Sequence, residues 1–246
     1  AGTEIKIDDN GEILLRSASV FRGYHRNPSA TADAVDSEGW LHTGDAGYLD
    51  EQGHLVVIDR LKDVLTTTDG TRFSSAFIEN KLKFSPYIEE AVTFAAPDGG
   101  MTAILTIDPM TTGSWAEHER LSYTTYTDLA AKTEVQELIS EEVNRSNEDL
   151  PASIRVKRFL LLHKQFDPDD DEITRTRKVR RNVIGERYGA LIDALGRGDD
   201  RIGITTTVAY QDGTKVDRTI DLKIIDLTHY REPEGRGRRP VWSGRR

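Results

Sequence analysis

Apolar and polar positions alternate with period two at the start of the chain and recur every three to four residues further along, so short strands come first and mixed helix and strand follow. Glu4-Ile5-Lys6-Ile7 and Glu12-Ile13-Leu14-Leu15 flank Asp9-Asn10-Gly11, a hairpin signal. Residues 48–50 and 54–58 flank Glu51-Gln52-Gly53 and predict a second hairpin. Between them Asn27-Pro28-Ser29-Ala30-Thr31 predicts a short helix capped by Asn27 or Ser29. Residues 74–83 predict a short helix with Phe77, Ile78 and Leu82 on one face, and 91–95 and 103–107 predict strands. Over 133–147, Val135, Leu138, Ile139 and Val143 recur at helical spacing; 156–162 is an apolar strand. Val183, Ile184, Tyr188, Leu191, Ile192 and Leu195 mark a last helix, stopped by Gly196 and Gly198. Residues 204–210 and 216–227 read as one long hairpin around Asp212-Gly213, and the Arg-, Gly- and Pro-rich stretch 231–246 is expected to be disordered. The organisation predicted is α+β: a β-rich segment over 1–60, a mixed domain over 61–198, an appended hairpin over 199–230 and a basic tail over 231–246.

Charge and composition narrow the chemistry. The net charge of −9 argues against general nucleic-acid binding, which needs clustered Lys and Arg. That charge is uneven: residues 167–172 are acidic, while 175–181 and 231–246 are basic. The acidic run lacks the central Gly and terminal Glu of a calcium loop and reads as a solvated loop opposite the Arg run. The six His residues show no paired ligand spacing, so no metal is assigned to the chain. Cysteine is absent, which excludes disulfides, thiolate catalysis and Cys-ligated zinc. No stretch approaches the roughly 18 consecutive apolar residues of a spanning helix, and the start carries no basic-then-apolar leader. A cytoplasmic setting is expected, with peripheral membrane contact left open.

The informative stretch is Gly39-Trp40-Leu41-His42-Thr43-Gly44-Asp45-Ala46-Gly47-Tyr48-Leu49-Asp50, followed by Val57-Ile58-Asp59-Arg60-Leu61-Lys62-Asp63. A carboxylate beside a tight Gly turn, as read for Asp45, suits both hydroxyls of a ribose; the plainer reading is a turn Asp. Arg60 ends a strand, and its always-charged fork suits ribose oxygens or phosphate; the plainer reading is an exposed basic loop. The two motifs at this spacing closely resemble the adenylate-forming superfamily of acyl-CoA synthetases, luciferases and peptide-synthetase adenylation domains, over roughly residues 10–190. The resemblance implies that Asp45 holds the ribose, that Arg60 contacts the nucleotide and that Lys62 is the hinge of a mobile C-terminal domain, with Asp59 and Asp63 as structural partners of these cations. The Thr-rich run at 65–73 departs from the family's Lys- or Gly-rich loop, and no thiolation contact is carried over to it.

A second stretch, Asp171-Glu172-Ile173-Thr174-Arg175-Thr176-Arg177-Lys178-Val179-Arg180-Arg181, resembles the family's final Thr-Pro-x-x-Lys-x-x-Arg motif. Lys178 falls on the adenylation lysine, whose cation would offset charge as a carboxylate attacks the α-phosphate. The plainer reading is a basic loop on a solvated face. Arg175 stands where Pro is usual and Arg177 where Gly is common; this basic version resembles the long-chain fatty acyl-CoA synthetase branch. Arg180 and Arg181 read as surface charges or CoA phosphate contacts. Nothing resembling the phosphate loop Ser-Gly-Thr-Thr-Gly-x-Pro-Lys occurs, and the first residue is Ala1. The expectation is a C-terminal portion of an ATP-dependent fatty acid:CoA ligase, inactive without an N-terminal half that supplies the phosphate, Mg2+ and fatty-acid sites, with ATP and coenzyme A as co-substrates. Two alternatives stay open: a ligase that loads a carrier protein, and a stand-alone remnant that binds a partner or regulates a full-length synthetase.

Overall fold

A computed structural model describes residues 2–66, 72–148, 150–209 and 215–228, and their side chains except at 206–209 and 215–218. The Asp212-Gly213 turn, the tail at 231–246 and most of the Thr-rich run lie outside the described residues.

The first hairpin forms as predicted: β1 (Glu4–Ile7) pairs antiparallel with β2 (Glu12–Arg16). Asn27 caps α1 (Pro28–Ala34) by accepting from the Ala30 N–H at 3.0 Å. β3 (Leu41–Leu49) and β4 (Leu55–Arg60) complete a four-stranded sheet in the order β1-β2-β3-β4. A short 3-10 turn at Leu61–Asp63 follows β4 directly. A small two-stranded sheet, β5 (Val64–Thr66) and β6 (Arg72–Ser74), leads into α2 (Ser75–Leu82), capped by Ser74. Ile78 and Leu82 of α2 are buried, but Phe77 is 58% exposed and leaves the predicted apolar face. The Ser74 cap sets the helix start, and with it a face that α2 turns to the sheet at positions 78 and 82.

The larger sheet has the order β10-β11-β9-β8-β7, built from β7 (Ile88–Ala95), β8 (Met101–Ile107), β9 (Val156–Leu161), β10 (Arg201–Ala209) and β11 (Lys215–Asp226). β8 and β9 run parallel; the other pairs are antiparallel. All seven residues of β8 are buried, as expected of a central strand covered on both faces. The period of two then sorts neighbours onto opposite faces. Ala91, Leu105, Phe159 and Leu161 pack with α2, α3 (Pro109–His118), α4 (Tyr126–Ala131) and α5 (Thr133–Asn147). Val92, Ile104, Leu160 and Leu162 pack with α6 (Arg181–Arg187) and α7 (Gly189–Arg197). The face of α5 read from spacing is the face buried: Val135, Leu138, Ile139 and Val143 are each fully covered, and each such burial is worth about 1.5–3 kcal/mol.

The helices differ from the expectation. The last helix is two helices, because the backbone departs from helical geometry at Tyr188 (φ −108°, ψ 20°). Tyr188 is buried there, and its hydroxyl donates to the buried Glu172 carboxylate. Helices α3 and α4 carry no strong period in sequence and were not foreseen. The strands β10 and β11 extend the larger sheet: Ile224, Ile225 and Asp226 of β11 pair with Leu160, Phe159 and Arg158 of β9.

Candidate functional site

Asp45 and Arg60 are cross-strand partners in the β3–β4 register. One Arg60 guanidinium nitrogen lies 3.2 Å from the Asp45 carboxylate and donates to the Thr43 carbonyl at 3.3 Å. Both side chains stay partly open to solvent, 37% for Asp45 and 61% for Arg60. The pair therefore presents an acceptor and a fork of further donors on one surface, the chemistry that a ribose with two hydroxyls demands.

The local backbone differs from the turn expected. Thr43, Gly44 and Asp45 lie inside β3, and the irregularity is a break in strand register, not a turn. Register shifts occur on both flanks, between Glu12 and Leu14 against β2 and between Ala46 and Gly47 against β4. Such bulges re-aim a side chain from an otherwise regular strand. Gly44 sits at φ +69°, a left-handed backbone that glycine tolerates without a Cβ clash. Its N–H donates to the Glu12 carboxylate at 2.8 Å, and the other oxygen of Glu12 lies 2.9 Å from His42 Nδ1. Glu12 is 7% exposed. This buried carboxylate, with the Thr43 hydroxyl on the Ile13 carbonyl at 2.7 Å, fixes the bulge that carries Asp45. Reading the sequence missed Glu12; an acidic residue at a core-facing position of a predicted hairpin strand was the available signal.

Lys62 lies in the 3-10 turn immediately after Arg60. Its neighbour Asp59, expected to pair with the cations, instead accepts from the Ser74 hydroxyl and from the Arg60 N–H at 2.8 Å. Asp59 thus ties β4 to the start of α2.

Lys178 lies on a loop closed by an isolated bridge between Ile173 and Val179. Thr174 organises it: its N–H donates to the Lys178 carbonyl at 2.8 Å, and its hydroxyl accepts from the Lys178 N–H at 3.0 Å. Arg177, where the related motif favours Gly, is left-handed at φ +59°, and it is held by an ion pair to Glu89 at 2.6 Å. The Lys178 side chain is exposed and has no ion-pair partner among the described residues.

The acidic run before it is not uniformly solvated. Glu172 is fully buried. It lies 2.9 Å from Lys164 and 2.9 Å from Arg187, and accepts from the Tyr188 hydroxyl at 2.6 Å and from the Asp167 N–H at 3.0 Å. Burial opposes its ionisation, but the Tyr188, Lys164, Asp167 and Arg187 donors outweigh it, and the carboxyl sits below its ordinary value. Burial together with Glu172 pushes the Tyr188 phenol well above its usual range. Asp171, by contrast, meets Arg180 at 2.8 Å on the surface, as the sequence suggested. Arg181 is structural rather than a surface charge: it donates to the Thr93 carbonyl at 2.7 Å and pairs with Glu79.

The four residues singled out from sequence thus form two pairs. Asp45 meets Arg60, and Lys178 shares with Lys62 an open cleft of about 760 Å³ whose wall includes Asp59, Asp63, Glu79 and Arg181. Neither Asp45 nor Arg60 lines that cleft. Among the described residues no cluster of three or more His, Asp or Glu is placed to hold a metal ion. No helix among them is long and apolar enough to cross a membrane.

No family model matches the chain. The chain is 32% identical over 195 residues to the long-chain-fatty-acid–CoA ligase FadD15 of Mycobacterium tuberculosis, covering 79% of the chain and 32% of that protein. A second M. tuberculosis relative, fadD11, is 38% identical over 197 residues, covering 79% of the chain and 34% of its own length. The chain therefore spans about a third of the curated relatives it matches. Among solved structures, the adenylation domain of a carboxylate reductase from Mycobacterium chelonae aligns with a TM-score of 0.61 at 20% identity, over 79% of this chain and 31% of that one. That likeness speaks to the fold.

Proposed function

Because the chain belongs to the adenylate-forming superfamily, as a C-terminal portion related to the long-chain fatty-acid–CoA ligases, we propose that it carries the ribose clamp and the lysine-bearing domain of an ATP-dependent fatty acid:CoA ligase. The reaction proposed has two steps. A fatty-acid carboxylate attacks the α-phosphate of ATP, forming acyl-adenylate and releasing pyrophosphate. The thiol of coenzyme A then attacks the acyl carbonyl, giving the thioester, AMP and a proton.

The observation that carries this reading is the Asp45–Arg60 pair, set on a glycine bulge and followed within two residues by the turn that holds Lys62. Asp45 accepts from the ribose hydroxyls, and Arg60 donates to ribose or phosphate oxygens. Lys178 brings an unpaired cation to the carboxylate and α-phosphate, where preorganised charge lowers the barrier. In this conformation Lys178 faces the cleft at Lys62, and rotation about Lys62 moves it toward the clamp for the first step and away for the second. The turn is short and flanked by extended residues, Arg60 at ψ 135° and Val64 at ψ 127°, so a few torsions suffice. The 246 residues contain no phosphate-loop sequence, and alone they form no acyl-adenylate in this proposal.

The test is Lys178→Ala in a full-length ligase containing this portion. ATP–pyrophosphate exchange is expected to fall about 100-fold or more, while thioester formation from supplied acyl-adenylate persists. Unchanged exchange would overturn the role of Lys178.

A further inference from the structure

Rotation about Lys62 would carry every residue after the turn relative to β1–β4, so contacts elsewhere must set the orientation seen in this structure. The turn does not set it: none of its residues is buried and no side chain caps it. Among the described residues, two side-chain hydrogen bonds cross from residues 64–228 to residues 2–60, and both start from β6.

The first joins Ser74 to Asp59. Ser74 is buried, and its hydroxyl makes two bonds at once. It accepts from the Phe77 N–H at 3.3 Å, capping α2, and donates to the Asp59 carboxylate. The other Asp59 oxygen accepts from the Arg60 N–H at 2.8 Å. A charged acceptor makes such a bond stronger than a neutral one, and this bond runs from the cap of α2 to the residue before the clamp arginine.

The second joins Arg72 to the turn between β1 and β2. Its guanidinium lies against Gly11, where a Cβ would overlap it, and donates to the Asp9 carbonyl at 3.5 Å. That bond is long and exposed, and weak by itself. Its place gives it weight. The Gly11 carbonyl accepts from the Gly47 N–H at 3.1 Å, at the register break just beyond Asp45. One contact of β6 therefore ends beside Arg60, and the other ends on the turn that supports the Asp45 bulge.

We propose that Asp59, Ser74 and Arg72 form a latch that holds the Lys178-bearing domain in this orientation and registers it against both halves of the ribose clamp. The latch rests on the hinge role proposed for Lys62. A rotation large enough to move Lys178 must break both contacts, so they weight the equilibrium between orientations. All three are positioning residues; none touches substrate in the proposed reaction.

The chain has no cysteine, so spin labels on Glu51→Cys and Glu137→Cys, both exposed positions, read one distance between the β3–β4 turn and α5 in the 246-residue chain. The parent is expected to give a single narrow distance. Asp59→Asn keeps the shape and an acceptor for the Arg60 N–H, but removes the charge that draws the Ser74 hydroxyl. Arg72→Ala removes an exposed side chain and leaves the core intact. With both changes together, the share of molecules away from the parent distance is expected to rise about tenfold, with each single variant intermediate and circular dichroism unchanged. A broad distribution in the parent would overturn the latch, as would a narrow one that neither Asp59→Asn nor Arg72→Ala alters. The distance is read without catalysis, so a failed latch leaves the ligase reading standing, and pyrophosphate exchange in Lys178→Ala tests that reading separately.

Discussion

The half-buried Asp45 and the exposed Lys178 each rest on a buried carboxylate, but the two carboxylates are held differently. Glu12, beneath the Asp45 bulge, engages one backbone N–H and one imidazole. Glu172, beneath the Lys178 loop, engages Lys164, Arg187, the Tyr188 hydroxyl and the Asp167 N–H. The first support positions a strand irregularity inside a sheet, where neighbouring strands already constrain the backbone. The second must hold a loop that no sheet holds, and it recruits full charges to do so. The proposed roles fit this difference: a ribose clamp would need a fixed acceptor at Asp45, and a moving Lys178 would need a loop that keeps its shape while its domain turns. The comparison implies that the Glu172 support contributes more to stability and the Glu12 support more to local geometry.

The sharpest way to break that comparison is Glu172→Ala. It leaves the buried Tyr188 hydroxyl without its acceptor and takes one of two carboxylates from Lys164 and from Arg187, each of which keeps Asp170. Loss of about 3 kcal/mol is expected, at the low end for a broken buried pair because both cations are partly solvated, read from the urea midpoint at unchanged slope. The pH dependence carries the same signature. The folded carboxyl of Glu172 lies below its ordinary value, so the unfolded chain binds the extra proton in that window. Its contribution is complete above the ordinary Glu value of 4.5 and is lost as pH falls through the lower folded value. Glu172→Gln should flatten that part of the acid limb; an acid limb identical to the parent's would show that the network contributes nothing.

Gly47→Ala tests the strand side of the comparison. A Cβ at Gly47 would stand 2.4 Å from the Val56 carbonyl oxygen and 2.8 Å from Ile13. The first of these is backbone and cannot swing away, so β3 and β4 must part. The expected cost is about 2 kcal/mol, with nucleotide affinity falling because Arg60 sits on the displaced strand. Full affinity in a destabilised variant would separate the clamp from the bulge.

Glu12→Gln keeps the shape and removes the charge. The amide can still accept from Gly44, but the charge-assisted contact to His42 is lost. A destabilisation of about 1 kcal/mol is expected, and the larger effect should fall on AMP affinity, measured by calorimetry. A stability loss as large as that of Glu172→Ala, with affinity intact, would reverse the ordering argued above.

Much of this was legible in sequence because the periods were strong. Val135, Leu138, Ile139 and Val143 announce α5, and the Asp-Asn-Gly turn announces the β1–β2 hairpin. The four candidate residues came from motifs, while strand register placed Asp45 against Arg60 and the cleft brought Lys178 near Lys62. What failed to show had physical causes. Glu172 reads as one acid among several, since nothing local reveals that Lys164 and Arg187, eight and fifteen residues away, converge on it. The break at Tyr188 sits inside an unbroken apolar period, and the Glu172 contact made at that residue is not visible in the local sequence. The bulge at Gly44 looks like a turn, since glycine marks both, and only pairing on both flanks tells them apart.

Arg177→Gly should have the smallest effect of all, and for a reason that bears on the Lys178 loop. Arg177 holds a left-handed backbone at φ +59°, which costs a non-glycine residue about 1–2 kcal/mol. Glycine removes that cost but frees the unfolded chain, offsetting about 0.4–1 kcal/mol of the gain. It also deletes the ion pair to Glu89, and with Arg177 at 65% exposure that pair is worth about 0–1 kcal/mol. The terms nearly cancel, and a change within about 0.5 kcal/mol of zero is expected. Arg177→Val loses the same ion pair and keeps the left-handed backbone with a β-branched side chain, which that region excludes more strongly. It should be less stable than Arg177→Gly by about 1–2 kcal/mol. If the two variants are equally stable, the loop has relaxed out of the left-handed conformation, and its shape is then set by the Glu172 support alone rather than by the residue beside Lys178.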